Sequence, residues 1–218
     1  MYGEKSGKDM LLKIAEDMTI SCAPGTISLV GHGLQAGDLI KFSSAVGTAF
    51  VTTRFYFVSD GSADGTFSAL DATNFRLSLT PDGTAILGDA TNGTIAVQAY
   101  KNIGGLRTSS FSFAIDEIDV SNHGSNQWKT LKSGAGMRSV EVSGSGVYNN
   151  SANYRAMEAA ALNNALVSLA FLDLDGGRVY SASFKINSIE ASGEYDGEAS
   201  FSMSANSSGS VTIAQLGT

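Results

Sequence analysis

The chain has little of what enzymes and metal sites are usually built from. Among 218 residues there are one cysteine, two histidines, one tryptophan and two prolines. The lone thiol, Cys22, excludes an internal disulfide framework and a multi-cysteine metal centre, and reads as a buried, unreactive side chain. His32 and His123 each stand beside a glycine in turn-like sequence, so both read as solvated turn residues rather than catalytic bases. No Gly-x-Ser-x-Gly elbow is present. Gly134-x-Gly136 and Gly144-x-Gly146 lack the third glycine and the strand-to-helix setting of a dinucleotide loop. Asp173 and Asp175 beside Gly176 hint at a calcium loop, but the third carboxylate and the late glutamate are missing. The reading is therefore no enzyme, no cofactor and no metal.

Long apolar runs are also lacking. None approaches the roughly 20 residues that span a bilayer, and the stretch Met1–Asp9 has no apolar signal-peptide core. A protein made in a cytoplasm, without membrane insertion, is expected. Charge is sparse at 16% and unbalanced, with 21 acidic against 14 basic residues and a formal net charge of −7. An acidic surface disfavours specific binding of DNA or RNA. It remains compatible with a channel through which DNA slides without sticking.

What the chain does have is glycine (25 residues), serine and alternation. Met10–Ile14 reads as a short apolar strand. Residues 19–100 then form a block with six acidic and three basic residues and both prolines. In it Pro24-Gly25, Asp60-Gly61, Asp64-Gly65, Asp82-Gly83 and Asn92-Gly93 mark turns. Between them Thr26–Val30, Leu39–Ser43, Thr53–Val58, Asn74–Leu79 and Thr94–Ala99 read as short strands, which predicts a small β-barrel or sandwich. Beyond the block, Thr108–Val120 alternates and shifts phase across Asp116-Glu117, and Asn122–Asn126 reads as a turn. Arg138–Val147 alternates with Gly144 and Gly146 inside it, the sign of a bulge or a close backbone approach. Asn150–Asn153 offers capping side chains to a helix over Tyr154–Asn163, with Tyr154, Met157 and Ala161 on its apolar face. Leu166–Leu174, Val179–Ile189 and Glu194–Ala205 complete the strands, and Ser207–Ala214 returns briefly to strand pattern. Trp128, at the head of the central run, is expected to anchor the core.

Three segments in this order carry a resemblance. Leu106-Arg-Thr-Ser-Ser-Phe-Ser-Phe, the run Trp128…Gly134-Ala-Gly136…Arg138-Ser-Val…Ser143-Gly-Ser-Gly-Val147, and Gly193-Glu-Tyr-Asp-Gly-Glu198 resemble the major tail tube protein of long-tailed, non-contractile bacteriophages. The resemblance covers residues 1–18 and 101–218 and leaves residues 19–100 outside. That block carries His32-Gly-Leu-Gln-Ala-Gly-Asp38, Phe55-Tyr-Phe-Val58 and Asn74-Phe-Arg-Leu-Ser78, and is similar to a small β module found in many phage structural proteins. Two domains are thus expected. A mainly β (α+β) antiparallel sandwich or barrel with one flanking helix has the phage tail tube fold. Residues 19–100 form a small all-β domain inserted in a surface loop, so that its excision should leave tube formation intact.

The resemblance implies a structural subunit that self-assembles into stacked, six-membered rings, the conduit for DNA ejection from the virion tail. Assembly would take place in the bacterial host cytoplasm. Implied partners are further copies of itself, the tape measure protein and the tail terminator, with viral DNA passing through unbound. Asp116, Glu117, Asp119, Glu141, Glu194, Asp196 and Glu198 are the candidate lumen-facing acids. Residues 1–9 and Ser207–Thr218 are expected to order only against a neighbouring ring. The alternative is a β-rich adhesin or carbohydrate-binding module, for which Phe55-Tyr56-Phe57 is the nearest approach to an exposed aromatic patch.

Overall fold

A computed structural model describes residues 10–23, 26–45, 50–59, 70, 72–80, 83–86, 93–125, 128–193 and 197–216. Its spine is β1, Met10–Ala23, much longer than the apolar run at its start. The strand continues through Glu16 and Asp17 because a neighbouring strand pairs with it there, at Ala99 and Gln98. Its start, Met10–Ile14, is hydrogen-bonded to β9 (Leu166–Asp173), and Lys13–Cys22 pairs with β6 (Gly93–Asn102). One strand thus serves two sheets.

From β1 a small barrel closes. β2 (Thr26–Ser28), β3 (Leu39–Phe42), β4 (Phe55–Ser59) and β5 (Asn74–Ser78) follow, every expected strand of the block being found. The pairings β1–β2, β2–β5, β5–β4, β4–β3, β3–β6 and β6–β1 are all antiparallel and form a ring. Closure gives each of the six strands a partner on both sides over part of its length, which limits the edge open to aggregation. Inside lie Ile20, Cys22, Ile40, Phe42, Tyr56, Val58, Phe75 and Leu77. The rings of Phe42, Phe50 and Tyr56 meet one another at 5.0–5.6 Å. Cys22 is a buried free thiol, and burial pushes its pKa up.

His32 corrects the sequence reading. It is buried, its Nδ1 accepts the amide N–H of Leu34 at 2.9 Å, and its ring stands edge-on to Phe75 at 5.1 Å. The imidazole is a loop lock because the glycines beside it, Gly31 and Gly33, take positive φ and fold the loop back onto the barrel. His123 is exposed, as expected.

The second sheet runs β1–β9–β10–β11–β8–β7, again antiparallel throughout. Its remaining strands are β7 (Leu106–Ile115), β8 (Arg138–Val147), β10 (Arg178–Ser192) and β11 (Ser200–Gln215). The sheet curls until Phe111 of β7 stacks on Phe171 of β9 at 4.9 Å. Helix α1, Ala152–Leu162, closes the core with Tyr154 and Met157; its N-cap Ser151 accepts the N–H of Tyr154. Gly146 is required by a close approach, since a Cβ there would lie 2.0 Å from the carbonyl oxygen of Gly105. The ladder slips by one residue beside it, between Leu106 and Thr108. The mainly β, antiparallel, one-helix architecture is the one expected.

One expectation about the end of the chain changes. Ser207–Gln215 is not an arm waiting for a neighbour but the second half of β11, paired with Arg178–Phe184 of β10. The strand turns at Gly209, whose φ of +87° only glycine adopts without strain. Residues 1–9 lie outside the described residues.

A third apolar cluster joins the two sheets. Leu39, Phe55 and Phe57 of the barrel, with Tyr100, pack against Ala170, Leu172 and Val179 of the second sheet. Phe55, Tyr56 and Phe57 are all buried, so this stretch offers the adhesin alternative no exposed aromatic patch.

Candidate functional site

Two surfaces stand out, one apolar and one covered in hydroxyls. The first is the link between β7 and β8, in which residues 116–125 and 128–137 form a narrow two-stranded arm. Amide–carbonyl bonds Asp116–Met137, Lys132–Ile118 and Val120–Thr130, each 2.9 Å, tie its sides together, and Asp119 bridges Leu131. Its end is a 3-10 turn at His123–Ser125. At the base, Gly136 has a φ of +99°, and a Cβ there would lie 1.8 Å from the carbonyl oxygen of Asp116.

A ribbon two strands wide cannot bury its apolar side chains completely. Ile118, Val120, Leu131 and Met137 are exposed, and Phe113 and Ile115 continue the strip onto β7. Trp128 is 80% exposed. It is no core anchor, which corrects the sequence expectation: it follows the turn on the arm, far along the chain from any strand that could cover it. At the arm's base lies a groove of about 420 Å³ walled by Phe113, Ile115, Val140, Val211 and Ile213. A contiguous apolar surface of this kind marks an interaction site.

The second surface is the outward face of β7–β8–β11–β10. The register sets Ser110, Ser143, Ser204 and Ser188 in one row across four strands. Adjacent rows read Thr108, Ser145, Ser202 and Glu190, then Ser112, Glu141, Asn206 and Lys185. The hydroxyls bond to one another, Ser110 with Ser143 at 2.6 Å and Ser188 with Ser204 at 2.8 Å. Hydroxyl pairs that satisfy each other present a polar but weakly charged plane.

The candidate acids do not converge. Asp116, Glu117 and Asp119 lie on the arm, where Lys129 donates to Glu117 at 2.6 Å. Hydrogen bonds from Ser121 hold the Asp119 carboxyl below its ordinary pKa, and Glu117 raises that of the Lys129 ammonium. Glu141 is the one described candidate acid on the hydroxyl face, while Glu198 pairs with Arg107 at 2.9 Å. Glu194 and Asp196 lie outside the described residues. Sequence reading misses Glu190, Lys185 and the serine rows. The i, i+2 spacing of Ser200, Ser202 and Ser204 signals one polar edge, but only strand register assembles edges into a face. Asp173 is a turn residue, its Oδ1 accepting the N–H of Gly176 at 2.9 Å. Among the described residues no three His, Cys, Asp or Glu side chains gather as a metal site would require.

Residues 82–213 match the family described as phage tail tube protein. The chain belongs to the phage tail tube protein family. It is a structural protein of the phage tail, and this family is not one of enzymes. No curated protein matches the chain. Two solved structures are similar to it. One is the virion of a native gene transfer agent particle (TM-score 0.48, 26% identity, 53% of this chain and 88% of that one). The other is the tail of an empty gene transfer agent particle with C6 symmetry (TM-score 0.48, 27% identity, 53% and 86%). In this tail tube protein the matched segment contains both the arm and the hydroxyl face.

Proposed function

We propose that copies of this protein stack as rings, six-membered as the family resemblance implies, into the tube through which DNA leaves the virion. The carrying observation is the arm: seven large apolar side chains between Phe113 and Met137 stand exposed on the protomer. Left in water they would aggregate the protein, whereas a repeated heterologous contact with another copy buries them and, if it does not close, yields a filament. The hydroxyl face, with Glu141 and Glu190, is the surface we assign to the bore. The tape measure protein and tail terminator are the further partners, and the host cytoplasm the place of assembly. Residues 1–18 and 101–218 build the wall, and the inserted block of residues 19–100 sits on its outside.

Electron microscopy of concentrated protein, wild type beside Trp128→Ala, tests this reading. Wild type should form hollow filaments. The variant should melt within about 0.5 kcal/mol of wild type, as surface substitutions do, yet fail to form them. Filaments of normal abundance from the variant would remove the arm from assembly. Equal absence of filaments from wild type at every concentration would count against the tube itself.

A further inference from the structure

We infer that the barrel is welded to the tail tube sheet, so that the two unfold as one unit and the barrel is held in a single orientation. This goes beyond the proposed tube and does not depend on it. Lys13 lies in the stretch of β1 that both sheets share, paired with Asn102 on one side and Ala170 on the other. Leu12 and Ile14 point into the core of the second sheet, and Lys13 points the opposite way, towards the barrel loop. There its ammonium, 1% exposed, meets the Asp38 carboxylate at 3.3 Å, itself 3% exposed.

Asp38 belongs to the loop, not to the sheet that holds Lys13. Its second carboxylate oxygen accepts the N–H of Gln35 at 2.9 Å, its amide reaches Gln35, and its carbonyl accepts from Val58 of β4 at 2.7 Å. A second lysine grips the other end of the same loop: Lys101 of β6 donates to the His32 carbonyl at 2.9 Å and to Glu16 at 2.7 Å. Beneath these contacts lies the shared cluster of Leu39, Phe55 and Phe57 on Ala170, Leu172 and Val179.

A buried ion pair adds little net stability over an apolar pair, but losing one partner strands the other charge, so such pairs fix geometry. Burial lowers the Lys13 pKa and Asp38 opposes that change. Removing residues 19–99 would therefore strand Lys13 and uncover the shared cluster. The excision expected from sequence to be tolerated should instead leave no folded protein.

Hydrogen exchange read by mass spectrometry on the intact protein tests the weld, with variants and wild type compared in the same assembly state. Phe75→Leu alters only the barrel interior. It should speed exchange in a β4 peptide (Phe55–Ser59) and a β11 peptide (Phe201–Ser207) by the same factor, roughly tenfold, as one cooperative unit must. Faster exchange in β4 with wild-type protection in β11 would overturn the inference. Should Phe75→Leu not fold, Asp38→Asn keeps the shape and removes the charge. It should accelerate both peptides together, and acceleration of the barrel alone would overturn the inference equally.

Discussion

Tyr100 shows how burial converts one side chain into a pH-dependent contribution. Its phenol donates to Gln98 at 3.1 Å, and Gln98 in turn donates to Asp17 at 3.1 Å. Burial, helped by the Asp17 charge, pushes the phenol up to about 12 from an ordinary 10.0. The folded state therefore keeps the proton that an unfolded tyrosine releases above pH 10. Stability from this group is complete below pH 10 and disappears as pH rises towards 12. Urea unfolding of wild type and Tyr100→Phe should converge by about 2–3 kcal/mol over that window, each pH step of one contributing about 1.4 kcal/mol. Parallel profiles would mean the phenol is not desolvated. Single residues are also where sequence reading is weakest. Residue type alone sends tryptophan inward and histidine outward, and Trp128 and His32 reverse both assignments. Type reports a transfer free energy; it carries no information about whether a second layer exists at that position. The arm has none, and the loop around His32 is folded onto one.

At the scale of elements, the strands of residues 26–99 are legible because glycine dipeptides delimit them and β-branched or aromatic residues fill them. Helix α1 is legible from its cap and its alanines. The arm is not, since Ile118 and Val120 alternate as a core strand would, and periodicity cannot distinguish a strip buried by its own chain from one left for another. Gly136 gives the arm a test of its own. With φ at +99° and the Asp116 carbonyl 1.8 Å from the site of a new Cβ, Gly136→Ala must move one side of the arm off the other. The disturbance should stay local, because the paired part of β8 begins only at Arg138. The expected result is a small loss of melting temperature together with loss of filaments. A variant that assembles normally would show that arm geometry is irrelevant to self-association.

For the whole molecule, what the sequence conceals is sharing. Glu16 and Asp17 make β1 look finished at Ile14, and only the tertiary fold shows one strand serving a barrel and a sheet. The candidate acids are likewise a sequence-local idea, and folding scatters the five described ones between the arm, the hydroxyl face and its margin. The negative charge is therefore not concentrated on the surface assigned to the bore, where Glu141 shares a row with Lys185 across Asn206 and the Ser188 row separates that row from Glu190. On that assignment the wall avoids DNA by offering no cation array, rather than by strong repulsion. The cost of reversing it is calculable in kind: each lysine brought to phosphate releases counterions, and its effect steepens with every subunit that repeats it. Ser188 and Ser202 are both exposed on this face. Filaments of the Ser188→Lys, Ser202→Lys double variant should therefore retain duplex DNA at low salt, protected from nuclease and released as salt rises. Filament length should not change, because neither residue belongs to the arm. DNA held by the variant but open to nuclease would put the hydroxyl face on the outside of the tube, and DNA not held at all would remove the face from any contact with the genome.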